Sequence, residues 1–139
     1  MRARAAPAAL LLAAVLLLSS CGQLSSAELG RGVATLESIG AEGALMADDV
    51  AHYRTKTTYV RVHAQELSDA AQHEAEKLND AEVPERLRDP VIRAIEIAGD
   101  ESDGLDSLRT TPDDQAAARD AEAKLRRTAD AAKKLGDEL

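Results

Sequence analysis

From Leu29 onward the apolar residues recur at alternating steps of four and three, and no stretch alternates apolar and polar as a half-buried strand does. This spacing puts Leu29, Val33, Leu36, Gly40, Gly43, Ala47 and Val50 on one stripe of a helix. A second stripe reads Val60, Ala64, Leu67, Ala71 and Leu78, with Glu74 interrupting the seam one step before its end. Val91, Ile95, Ala98, Ser102, Leu105 and Leu108 form a third. The fourth is the most regular: Ala118, Ala121, Leu125, Thr128, Ala132, Leu135 and Leu139 keep strict heptad steps between charged flanks. The pattern predicts an all-α fold, an up-down antiparallel bundle of three or four helices.

Local signals place the boundaries. Ser25 or Ser26 is suited to cap the first helix, with Glu28 in its first turn complementing the positive end of the helix dipole. Gly40 and Gly43 weaken that helix but permit close approach of another, a reading that Ala41, Ala44 and Ala47 reinforce. Arg54-Thr55-Lys56-Thr57-Thr58 predicts a turn, since threonines lower helix propensity and favour capping; the alternative is one unbroken helix from Leu29 to Leu78. Pro84 ends the second helix. Asp89-Pro90 and Thr111-Pro112 each resemble a cap followed by proline at the first helical position, with Gly99 and Gly104 placed to fray or bend the helix between them.

The first twenty-two residues have a different grammar. Arg2 and Arg4 precede an apolar run from Ala8 to Leu18, too short for the ~20 residues of a membrane-spanning helix but suited to a secretory signal. Leu18-Ser19-Ser20-Cys21 resembles the lipobox of bacterial lipoproteins. The resemblance implies cleavage between Ser20 and Cys21, a diacylglyceryl group on the Cys21 sulfur, and a domain held by lipid on the extracytoplasmic side of the cell membrane. Each buried CH₂ contributes about 0.8 kcal/mol, so two chains suffice for stable attachment where one does not. The expected organisation is a signal peptide at residues 1–20, a short tether at 21–26 and a helical bundle domain at 27–139. Fully extended, the spacer from Gly22 to Ser26 reaches at most about 17 Å, which keeps the domain beside the bilayer.

Cys21 is the single cysteine, so its lipidation leaves no free thiol and no internal disulfide, and the fold stands on packing alone. From Cys21 onward, 25 acidic side chains face 15 basic ones, a formal net of about minus ten. Nucleic acid and anionic lipid surfaces are poor partners for such a charge. Tyr53 and Tyr59 are the only aromatic residues, too few for a platform on which bases stack.

His63, Glu66 and His73 share one side of a helical wheel, which raises a metal site held by His63 and Glu66 with a carboxylate from another helix such as Glu37, Glu42 or Glu96. Glu66 and His73 are about 10.5 Å apart along the axis, too far to share one ion. Bundle metal sites use Glu-x-x-His on two helices, and here the order is reversed and occurs once. Gly99 to Asp106 is the densest acidic run, yet a calcium loop built on Gly104 puts its first and twelfth ligands on Gly99 and Thr110, neither a carboxylate. A solvated helical segment is the expectation there. No nucleophile elbow, phosphate-binding glycine loop or His-Glu-x-x-His pair appears, so neither an enzyme nor a cofactor is expected.

The leading expectation is a membrane-tethered bundle that binds or scaffolds an envelope protein through its exposed helix faces. A small-ligand or metal-handling lipoprotein is the alternative. Self-association through the regular fourth stripe is a third outcome.

Overall fold

The computed structural model describes residues 22–139; Leu18, Ser19, Ser20 and Cys21 lie outside the described residues. Four long helices follow one another, α1 (Ser26–Ala51), α2 (Thr57–Asp80), α3 (Arg88–Thr110) and α4 (Gln115–Asp137), with a 3-10 turn at Glu85–Leu87 leading into α3. Short connections make successive helices antiparallel, and α1 and α2 pack most extensively against α4 and α3 respectively. The up-down bundle is therefore four-membered.

The α1–α2 break is a backbone event. The Tyr53 N–H donates to the Val50 carbonyl at 3.1 Å and the Arg54 N–H to that of Asp49 at 2.8 Å, the paired bonds of a Schellman ending. This places Tyr53 at φ 56°, and the continuous helix from Leu29 to Leu78 is excluded. At the other end of α1, Ser25 and Glu28 form a capping box: the Ser25 hydroxyl accepts from the Glu28 N–H, and the Glu28 carboxylate accepts from the Ser25 N–H.

The two proline-marked starts are shifted from expectation. α3 begins at Arg88 because the 3-10 turn feeds directly into it, so Pro90 falls third in the helix, still within the first turn where a missing N–H breaks no bond. α4 begins at Gln115, with Asp114 rather than Thr111 as its cap, accepting from the Ala116 and Ala117 N–H groups. Competition between adjacent polar residues for the cap is decided by which one has extended backbone, and Asp114 does.

All seven α1 seam residues are buried, as are those of α2; on α3 Ile95 is half-buried, and on α4 Leu139 is exposed past the end of the helix. Ala41 also faces outward, whereas Ala44 and Ala47 face the core. Gly40 and Gly43 do admit neighbours: a Cβ at Gly43 would fall 2.9 Å from Leu105 Cδ2, and one at Gly40 would fall 3.1 Å from Ala129. Gly99 and Gly104 leave α3 unbroken.

The ends of the bundle are distinct. Leu24 donates its N–H to the Glu82 carbonyl at 2.9 Å, and Arg86 donates to the Ser26 hydroxyl at 3.1 Å. Gln23 and Leu24 are thus fastened to the α2–α3 connection rather than forming a loose spacer. The α1–α2 turn lies at the opposite end beside the start of α4, where the Gln115 amide donates to the Ala51 carbonyl at 3.0 Å.

Candidate functional site

His63 and Glu66 come together on α2, with 3.4 Å between Nδ1 and a carboxylate oxygen. From α1, Glu42 approaches the other ring nitrogen, Nε2, at 2.7 Å. The two carboxylates therefore sit on opposite edges of the imidazole, and both accept from it only when the ring carries two protons. This arrangement links α1 to α2 through the imidazole, and the two carboxylates do not converge on one point. Glu37 and Glu96 are not part of it, and His73 stands exposed. Among the described residues no group of three histidine, cysteine or acidic side chains is arranged to hold a metal ion.

The end of the bundle away from Gly22 carries the more unusual surface. Tyr53 and Tyr59 are the chain's only aromatic residues, and both are outside a core built mainly of leucine, valine and alanine with Ile39 and Met46. Tyr53 is 80 % exposed, although its left-handed backbone costs an L-residue roughly 1–2 kcal/mol. Tyr59, in the first turn of α2, stacks on the His63 ring with centroids 5.2 Å apart. Val62 lies three residues on and is also more than half exposed. The Arg54 guanidinium is held by Asp49 at 2.9 Å and by Asp48, hydrogen bonds that push its affinity for its proton still higher. Lys56 and Arg61 are exposed and form no ion pair among the described residues. A shallow depression of about 480 Å³ between Val62, Arg61 and Arg109 adjoins them.

A larger groove of about 730 Å³ lies at the opposite end, between Leu24, Glu28, Arg31, Glu74, Lys77 and Leu78. It is open and balanced in charge, and Glu74 and Lys77 pair within it at 2.9 Å.

The sequence reading missed Glu101, which lies inside the acidic run expected to be solvated. Its side chain is fully buried in the seam of α1, α3 and α4, and neither carboxyl oxygen has a hydrogen-bond partner among the described residues. Burial pushes its carboxyl up to about 8, and the nearby Thr128 hydroxyl, which donates to the Leu125 carbonyl at 2.9 Å, acts in the opposite direction. On the other side of α3, Ser102 meets Ser68 at 2.9 Å and accepts from the Gln72 amide at 2.8 Å, a polar contact between α2 and α3. The register carried the signal for Glu101, which stands three residues after Ala98 and four before Leu105. Its residue type pointed the other way.

No protein-family model, curated protein or solved structure matches this chain.

Proposed function

We propose that the protein is a lipid-tethered, non-catalytic binding module of the cell envelope that engages a protein partner through the end of the bundle bearing Tyr53, Tyr59 and Val62. The observation that carries this reading is the placement of both aromatic residues in solvent, one of them held at a conformational cost. Exposed aromatic side chains supply rigid contact area at little entropic cost and anchor interfaces when partners bury them. The left-handed position that ends α1 is one glycine takes most readily, and here it carries a tyrosine instead. The lipobox resemblance at Cys21 supports the tether, and the fastening of Gln23 and Leu24 at the opposite end supports an outward-facing tip.

Photocrosslinking in the native host tests this. A photoreactive residue in place of Tyr59 is expected to give one defined protein adduct, and the same residue in place of Glu76, an exposed position toward the tethered end, is expected to give none. Monomer alone from both positions overturns the reading, and an adduct of twice the monomer mass assigns the surface to a second copy. Intact-mass measurement of the chain from its host tests the lipid on Cys21 separately.

A further inference from the structure

We propose that Glu101 is a proton switch for the bundle: α1 closes onto α3 and α4 around its protonated carboxyl, and loss of that proton to solvent loosens the three-helix seam. The geometry has three parts. Glu101 is fully buried near the middle of α3, and both of its oxygens lack partners. Gly40 of α1 provides the room for it, since a Cβ there would come within 2.6 Å of Glu101 Oε1. Ala129 of α4 also packs against Gly40, at 3.1 Å from a Cβ placed there, so the carboxyl lies where α1 comes close to α4, in a slot with room for its volume but no partner for its charge. A neutral carboxyl tolerates such a slot far better than a carboxylate, because an unpaired charge forfeits its hydration without compensation.

The charged groups around the slot do not rescue the ionised form. From α1 the nearest ionisable residue in register is Glu37, one turn before Gly40, an acidic side chain that offers a carboxylate no compensating positive charge. From α4, Lys124 is turned outward and engaged by Asp100 at 3.2 Å and Asp103 at 3.4 Å, and Arg127 lines the outer groove beside Thr128. From α2, Ser68 and Gln72 face the neighbouring Ser102 and carry no charge. On α3 itself Asp100 and Asp103 are exposed and paired with Lys124. The raised proton affinity of Glu101 agrees with this inventory: burial dominates it and no ionised group contributes.

The test uses the full chain extracted from its host in mild detergent, followed from pH 5 to 9. In the wild type, the Glu101 side-chain carboxyl carbon is expected to titrate in NMR well above the other glutamates. The unfolding constant should rise by up to tenfold per pH unit until the carboxyl has ionised, and then level off. Amide exchange around Gly40, corrected for its intrinsic pH dependence, should accelerate over the same range. Glu101→Gln, which keeps the volume without a titrating proton, is expected to remove the rise. Equal pH dependence in the two proteins overturns the proposal. Should Glu101→Gln fail to fold, the wild type decides alone: Glu101 titrating among the ordinary carboxylates, with exchange around Gly40 unchanged from pH 6 to 9, overturns it as well.

Discussion

Gly40 and Gly99 are both helical glycines, and their surroundings predict opposite responses to the same change. At Gly40 a methyl group would meet the Ala129 backbone nitrogen at 3.1 Å as well as the Glu101 carboxyl, and backbone cannot rotate aside. Gly40→Ala is expected to destabilise the protein by about 1–3 kcal/mol, the range for overpacking a filled site. At Gly99 nothing lies within 4 Å of the added Cβ, so Gly99→Ala is expected to stabilise by up to about 1 kcal/mol through helix propensity. Urea unfolding of the two variants beside the wild type checks both signs. Tyr53 gives a third case. Tyr53→Gly relieves the left-handed strain and is expected to raise stability by up to about 1 kcal/mol while weakening the crosslink from the tip; a loss of stability would mean that the exposed ring packs after all.

At the scale of the helix, the four starts are not equivalent. α1 and α4 have side-chain caps, from Ser25 and Asp114, whereas Lys56 and Leu87 supply none to α2 and α3. Ser25→Ala and Asp114→Ala are each expected to cost about 1 kcal/mol, read as a lower denaturation midpoint with unchanged slope. Much of this level could be read before the structure. A cap at Ser25 or Ser26 with Glu28 in the first turn was recognisable because capping is local, though the reciprocal bonds that single out Ser25 came only with the structure, and the stripes were recognisable because helical period is local. Asp114 was not separable from Thr111, since both precede an acceptable first turn and the choice depends on backbone set by the tight α3–α4 connection.

For the whole molecule, the carboxylates define a stability profile with pH. The Glu101 carboxyl rises from an ordinary 4.5 to about 8, so between those values the folded protein holds a proton that the unfolded chain has lost. Stability therefore falls as pH rises through this window, by about 1.4 kcal/mol per unit where Glu101 acts alone, and levels off above about 8. Glu28 and Glu138 act in the opposite sense. Hydrogen bonds from Ser25 lower the first and the Arg93 guanidinium lowers the second, so their stabilisation is present above the ordinary carboxylate range and lost on acidification. Thermal midpoints measured from pH 3 to 9 are expected to peak on the acidic side of neutrality, whereas Glu101→Gln should hold a plateau toward neutral and basic pH.

The amino-acid sequence determined the class of fold and the positions of the seams, because each depends on period within a few residues; it suggested a break between Val50 and Val60 but left one continuous helix as the alternative, which the Schellman ending at Tyr53 excludes. It also marked Tyr53 and Tyr59 as the whole aromatic content. Only the tertiary structure decided that both point into solvent, that Glu42 rather than Glu37 or Glu96 reaches His63, and that Gly40 opens a slot for Glu101. Each of those facts depends on which residue of one helix opposes which residue of another. Helix rotation and stagger are set by the packing of all the seams together, so a carboxylate in an acidic run can occupy a core position when a glycine on a distant helix leaves the space.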